Sequence, residues 1–116
     1  SKLGAEQLAP LLPPTSTLVV LGDAPRADGR TVVDALGKRG HRLVLSEAGP
    51  HVFGTLLEAA VVDELFLTTS PRLAGDAGAG SRLRLVEAAD LVPLLDLELL
   101  SLRRHESPLF ARYAVT

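Results

Sequence analysis

At 116 residues the chain is long enough for one domain with its own core and too short to expect two. Nearly half of it is hydrophobic, its only aromatics are Phe53, Phe66, Phe110 and Tyr113, and its formal charge is −2. It therefore has little with which to stack unpaired bases or neutralise a phosphate backbone, and no nucleic-acid partner is expected.

The absence of cysteine removes disulfides, thiolate nucleophiles and Cys-type zinc sites together, and fits a cytoplasmic setting. Charged or small residues break every apolar run before the 18 or so residues of a membrane span, so no membrane partner is expected. Lys2, Glu6 and the prolines that follow do not make a signal peptide. The chain also lacks methionine, which initiator removal and a fragment of a longer protein explain equally well.

In chain order, residues 1–16 hold one short amphipathic turn (Leu3, Leu8, Leu11, Leu12) closed by Pro10, Pro13 and Pro14, and read as a lead-in segment. Residues 17–116 form the domain. Leu18-Val19-Val20-Leu21 is a continuous apolar run ending at Gly22, the pattern of a strand covered on both faces. A loop from Asp23 to Gly29 leads to a helix from Arg30 to Arg39, with Val32, Val33 and Leu36 at helical spacing and a glycine stop at Gly37 to Gly40.

His41 to Leu45 reads as a second buried strand. A second helix runs from Pro50 to Ala60, with Val52, Phe53, Leu56, Leu57 and Ala60 on one face. Leu65 to Thr69 is a third strand, and Arg72 to Ser81 a flexible glycine-rich loop. Leu97 to Arg104 and Leu109 to Val115 form a β-hairpin turning at Glu106-Ser107-Pro108. The order predicts an α/β sheet that starts parallel and ends antiparallel.

The most informative stretch runs from His41 to Gly75, where strand, glycine turn, helix and strand follow one another. A helix that starts after Gly49 presents unpaired backbone N–H groups and the positive end of its dipole, which together suit a phosphate. Pro50 costs nothing in the first helical turn.

These residues also carry a resemblance. Glu47-Ala48-Gly49-Pro50, the helix ending Leu56-Leu57-Glu58-Ala59-Ala60, then Val62-Asp63-Glu64-Leu65, Ser70-Pro71 and Leu73-Ala74-Gly75 resemble the reductase domain of riboflavin biosynthesis, a branch of the dihydrofolate reductase superfamily. The closing Leu109-Phe110-Ala111-Arg112-Tyr113 is similar to that family's last strand.

The resemblance covers roughly residues 17–116. It implies a dihydrofolate-reductase-like, mainly parallel sheet flanked by helices, and hydride transfer from NADPH to a ribosylamino-pyrimidine. By position, Ala48, Gly49, Pro50, His51 and Val52 would lie along the cofactor's pyrophosphate and nicotinamide end, Gly22 in the loop at its adenosine end, and Glu47 on the substrate side as the catalytic candidate. Ala48 stands where the family often has a second glycine. The strands that precede this point in the family are not found before Leu18, so the chain resembles the C-terminal half of such a domain.

Other readings stand beside these. Glu47 is either a substrate-facing acid or a carboxylate favoured by the helix dipole, and Gly49 either admits a phosphate or supplies a tight turn. His41, His51 and His105 are too scattered for a metal site, and no metal is expected. Ser46 lacks a Gly-x-Ser-x-Gly setting, and no phosphate-loop signature is present. Asp63 and Glu64 point to opposite faces of a strand and cannot pair as acid and base. Arg26 and Arg30 flank a loop within reach of a 2′-phosphate, while Arg103 and Arg104 read as solvated.

The expected function is thus an NADPH-dependent reductase acting on a small-molecule substrate. The competing expectation is a non-catalytic α/β binding or oligomerisation module. A truncated sheet would expose strand edges, so a homodimer or a complementing chain segment is expected.

Overall fold

The computed structural model describes residues 2–73 and 84–116, which include three helices and a three-stranded antiparallel sheet. The loop expected from Arg72 to Ser81 lies outside the described residues from position 74 onward. The chain divides into two compact units, Ser1–Glu47 and Ala48–Thr116.

In the first unit, α1 (Lys2–Leu8) runs into a single 3-10 turn over Ala9–Leu11, with Pro10 at its start where no N–H is needed. Leu12 turns to extended geometry (φ −86°, ψ 142°) and ends the segment. The helix α2 (Gly29–Lys38) begins one residue earlier than the spacing predicts, because Asp28 caps it. The Asp28 carboxylate accepts the Thr31 backbone N–H at 3.0 Å and the Thr31 hydroxyl at 3.2 Å.

The stop of α2 follows glycine geometry. Gly40 adopts φ +89°, its N–H donates to the Gly37 carbonyl at 2.9 Å, and the His41 N–H reaches back to the Leu36 carbonyl at 3.2 Å. Both carbonyls lie in the last turn, where intrahelical donors run out, and the Arg39 N–H shares the Leu36 carbonyl at 3.0 Å.

Two expected strands are not strands. Residues 18–21 and 41–45 carry no ladder hydrogen bonds among the described residues, and Leu43 is 93% exposed where a covered strand was expected. An apolar run marks a segment that would be buried if strands flanked it, but pairing requires a partner, and without one the segment stays extended and solvent-exposed. The parallel beginning of the expected sheet is therefore not present among the ladders described, all of which are antiparallel.

In the second unit, α3 (Pro50–Glu58) starts at the expected proline and ends in the same motif as α2. The Ala60 N–H donates to the Leu57 carbonyl at 2.9 Å and the Val61 N–H to the Leu56 carbonyl at 3.2 Å. Here the left-handed position is an alanine, Ala60, at φ 49°. Leu57 is buried, whereas Val52, expected on the same apolar face, is exposed.

The sheet has the order β1-β3-β2, with β1 at Glu64–Thr69, β2 at Leu97–Arg104 and β3 at Leu109–Val115. The hairpin closes with the His105 N–H donating to the Pro108 carbonyl at 3.3 Å. In the central strand, Ala111 is buried between Leu67 and Leu102. Register places Leu65, Leu67, Leu99, Leu102, Tyr113 and Val115 on the Ala111 face, and Glu64, Phe66, Ser101, Arg103, Phe110 and Arg112 on the other. The pairing shifts by one residue between Leu99 and Ser101, where β2 bulges.

Candidate functional site

The turn into α3 brings Ala48, Gly49, Pro50, His51 and Val52 together at the start of the second unit. Gly49 is the N-cap, with φ −70° and ψ 174°, and its carbonyl accepts the Phe53 N–H at 3.1 Å. That backbone geometry is open to any residue, so no tight turn requires the glycine. A Cβ built on Gly49 would meet nothing within 4 Å. The first helical donors not made redundant by proline are the His51 and Val52 N–H groups; both residues are exposed, and neither N–H is hydrogen-bonded among the described residues. No side chain caps this end.

A segment distant in sequence holds the helix behind this turn. The Glu87 N–H donates to the Pro50 carbonyl at 3.2 Å, and the Asp90 N–H donates to the Glu58 carboxylate at 2.8 Å. Between these two anchors the segment presses on Gly54, where an added Cβ would stand 2.5 Å from the Glu87 carbonyl oxygen. The importance of Gly54 is absent from the apolar pattern. Its one sequence signal is a glycine inside a helical repeat, which costs about 1 kcal/mol relative to alanine and so asks for a packing reason.

Gly22 and Glu47 belong to the first unit. Gly22 adopts φ +136°, a conformation that favours glycine, and a Cβ there would also meet open space. It lines a cavity of about 220 Å³ between α1, through Ala5 and Leu8, and the loop carrying Arg26. The Lys2 backbone N–H donates to the Asp23 carboxylate at 3.4 Å across the same region. Glu47 is exposed.

The carboxylates with shifted titration are elsewhere. The Thr31 backbone N–H holds Asp28 below the usual carboxylate range, and the hydrogen-bonded Arg112 guanidinium does the same to Glu64. Arg112 donates through Nε to Glu64 at 2.7 Å, pairs with it a second time through its terminal nitrogen, and lies over the Phe66 ring with its guanidinium carbon 5.7 Å from the centroid. This trio braces the sheet face rather than forming a site. Among the described residues no group of three or more His, Asp or Glu is placed to hold a metal ion, and no helix is long and apolar enough to cross a membrane.

Comparison with known proteins supplies the kinship. No curated protein sequence matches this chain. Among solved structures it is similar to Acinetobacter baumannii RibD, form 2, at a TM-score of 0.61 and 24% identity, covering 74% of this chain. The likeness extends over only 24% of that RibD chain, and at this identity it speaks for the fold alone. The family model described as the RibD C-terminal domain matches residues 2–107, nearly the whole length. The resemblance seen around Gly49 is thereby confirmed, and the chain belongs to the RibD C-terminal domain family.

Proposed function

We propose that this chain is a reductase of the riboflavin-pathway pyrimidine type, which binds NADPH and directs its hydride to a ribosylamino-pyrimidine or related substrate. Family membership supports a reductase role and a nicotinamide cofactor. The observation that carries the reading to particular residues is Gly49, a glycine that its own backbone does not require, with open space over its Cα and two unpaired N–H donors beside it. A phosphate group fits such a place, since close approach and N–H donors are what an oxyanion needs.

In this proposal the cofactor supplies the hydride, while Ala48, Gly49, Pro50, His51 and Val52 hold its phosphates and Gly22 borders its adenosine end. Glu47 orients the substrate. Residues 17–116 act as the C-terminal part of a dihydrofolate-reductase-like domain, with 1–16 as lead-in. The exposure of the apolar segments 18–20 and 43–45 supports that placement, because such segments suit interior strands.

Calorimetric titration with NADPH and with NADH tests the proposal directly. Heat of binding with NADPH, weaker with NADH, is the expected outcome; no binding to either defeats it. The second reading, a non-catalytic α/β module, draws on Ala48 and on the same exposed segments. It predicts a folded chain that binds neither nucleotide.

A further inference from the structure

We propose that Glu58 is a positioning residue for the turn at Gly49: by holding the Asp90 N–H it fastens residues 87–90 along α3, and these in turn fix the peptide that presents the His51 N–H. The inference rests on the reading of that turn as a phosphate site for NADPH.

The chain of contacts is continuous. The Asp90 N–H donates to the Glu58 carboxylate at 2.8 Å, and three residues earlier the Glu87 N–H donates to the Pro50 carbonyl at 3.2 Å. The Pro50 carbonyl and the His51 N–H belong to one planar trans peptide, so they point in opposite directions and turn only together. A donor on that carbonyl therefore sets the aim of the N–H. It also polarises the peptide, which makes the N–H a better donor to an oxyanion.

Two features find no explanation in helix or strand geometry alone. Glu58 is the last residue of α3, where the helix dipole disfavours a negative charge, and it has no ion-pair partner among the described residues. Its carboxylate is spent on the Asp90 N–H. Ala88, between the two anchors, holds φ 55°, a conformation that crowds its Cβ. In an extended run, amides three residues apart point to opposite sides. The kink at Ala88 turns both the Glu87 and the Asp90 N–H toward the same helix. Strain of this kind persists where surrounding contacts impose it, and the anchors at Pro50 and Glu58 are such contacts.

The dimensions leave little slack. From Pro50 to Glu58 the helix rises about 12 Å, and the three steps from Glu87 to Asp90 reach about 10 Å at full stretch. Helical side chains lean toward the N-terminus, so Glu58 reaches back to meet the Asp90 amide. Gly54 leaves room for the segment to lie against the helix backbone between its anchors. Freeing the Asp90 end thus loosens the Glu87 end, and with it the Pro50–His51 peptide.

Amide NMR of the free chain and calorimetry with NADPH, both on Glu58→Ala and Glu58→Gln, are the test. Glu58→Ala is expected to shift the His51 amide resonance, about two helical turns from the substitution, and to weaken NADPH binding roughly threefold to tenfold. Glu58→Gln keeps an acceptor oxygen and is expected to bring both back toward the unaltered chain. A carboxylate with a merely structural role would move only the amides around positions 58 and 90 and lower the melting temperature, with affinity measured well below the melt unchanged. That pattern overturns the proposal. So does unchanged NADPH affinity where the His51 amide moves, or a Glu58→Gln chain no closer to the unaltered one than Glu58→Ala. If the unaltered chain binds no NADPH, the functional reading fails, and the His51 amide alone decides whether Glu58 positions that peptide.

Discussion

Gly54 rests against the backbone of Glu87, with room for no side chain: a Cβ would come within 2.5 Å of the Glu87 oxygen and 2.9 Å of the Ala89 Cβ. Alanine at this helical position gains about 1 kcal/mol of propensity and meets a backbone that cannot yield. Overpacking of this kind costs about 1–3 kcal/mol, so Gly54→Ala is expected to lower stability despite its better helix former. Urea unfolding monitored by circular dichroism measures it, and a higher midpoint would refute the contact.

Ala60 gives the opposite sign. It holds φ 49° at the stop of α3, where α2 uses Gly40. Ala60→Gly removes the crowding of Cβ in the left-handed region and is expected to raise stability by about 0.5–1 kcal/mol, after the glycine's extra freedom in the unfolded chain is deducted. Thermal melting of the two proteins side by side decides it.

Gly49→Ser separates fold from ligand. Serine is a better N-cap than glycine, and its hydroxyl takes the His51 or Val52 N–H that the proposed phosphate would use. Unchanged or higher stability with roughly tenfold or greater loss of NADPH affinity is expected. Equal affinity would remove this turn from the cofactor site.

Acid stability depends on two named carboxylates. Glu64, chiefly through Arg112, and Asp28, chiefly through the Thr31 N–H, titrate below the usual range in the folded chain. Each therefore contributes stability at pH above its ordinary value, and that contribution drains away as pH falls from the ordinary value through the lowered one. Carbon-detected NMR titration should find Glu64 titrating below its ordinary value in the native chain and returned toward that value in Arg112→Met. Salt should narrow the difference, since the pair is partly exposed.

The hairpin and the start of α3 were legible because their signals are local. Glu106-Ser107-Pro108 between two strand-patterned runs, and proline just inside a helix, act through neighbours a few residues away. Residues 18–21 and 41–45 carry an equally clear apolar pattern, yet whether they form strands depends on partners that their own sequence does not name. The packing role of Gly54 is invisible in the sequence for a related reason: its neighbour is the backbone of Glu87, which has no side-chain signature. In the candidate site, the phosphate-ready turn was readable from Gly49-Pro50, but a sequence cannot tell whether a glycine is needed for φ. The value of −70° decides that it is not.

The anchors that tie Glu87 to Pro50 and Asp90 to Glu58 join two stretches of chain into one unit of opening. Helix α3 cannot unwind from its first carbonyl without releasing the Glu87 amide, nor can residues 87–90 peel away while the helix stays fully bonded. Their amides should exchange with deuterium at matched rates, slow together and fast together. Whatever stiffens residues 87–90 thus steadies the turn at Gly49 from a distance of nearly forty positions along the chain.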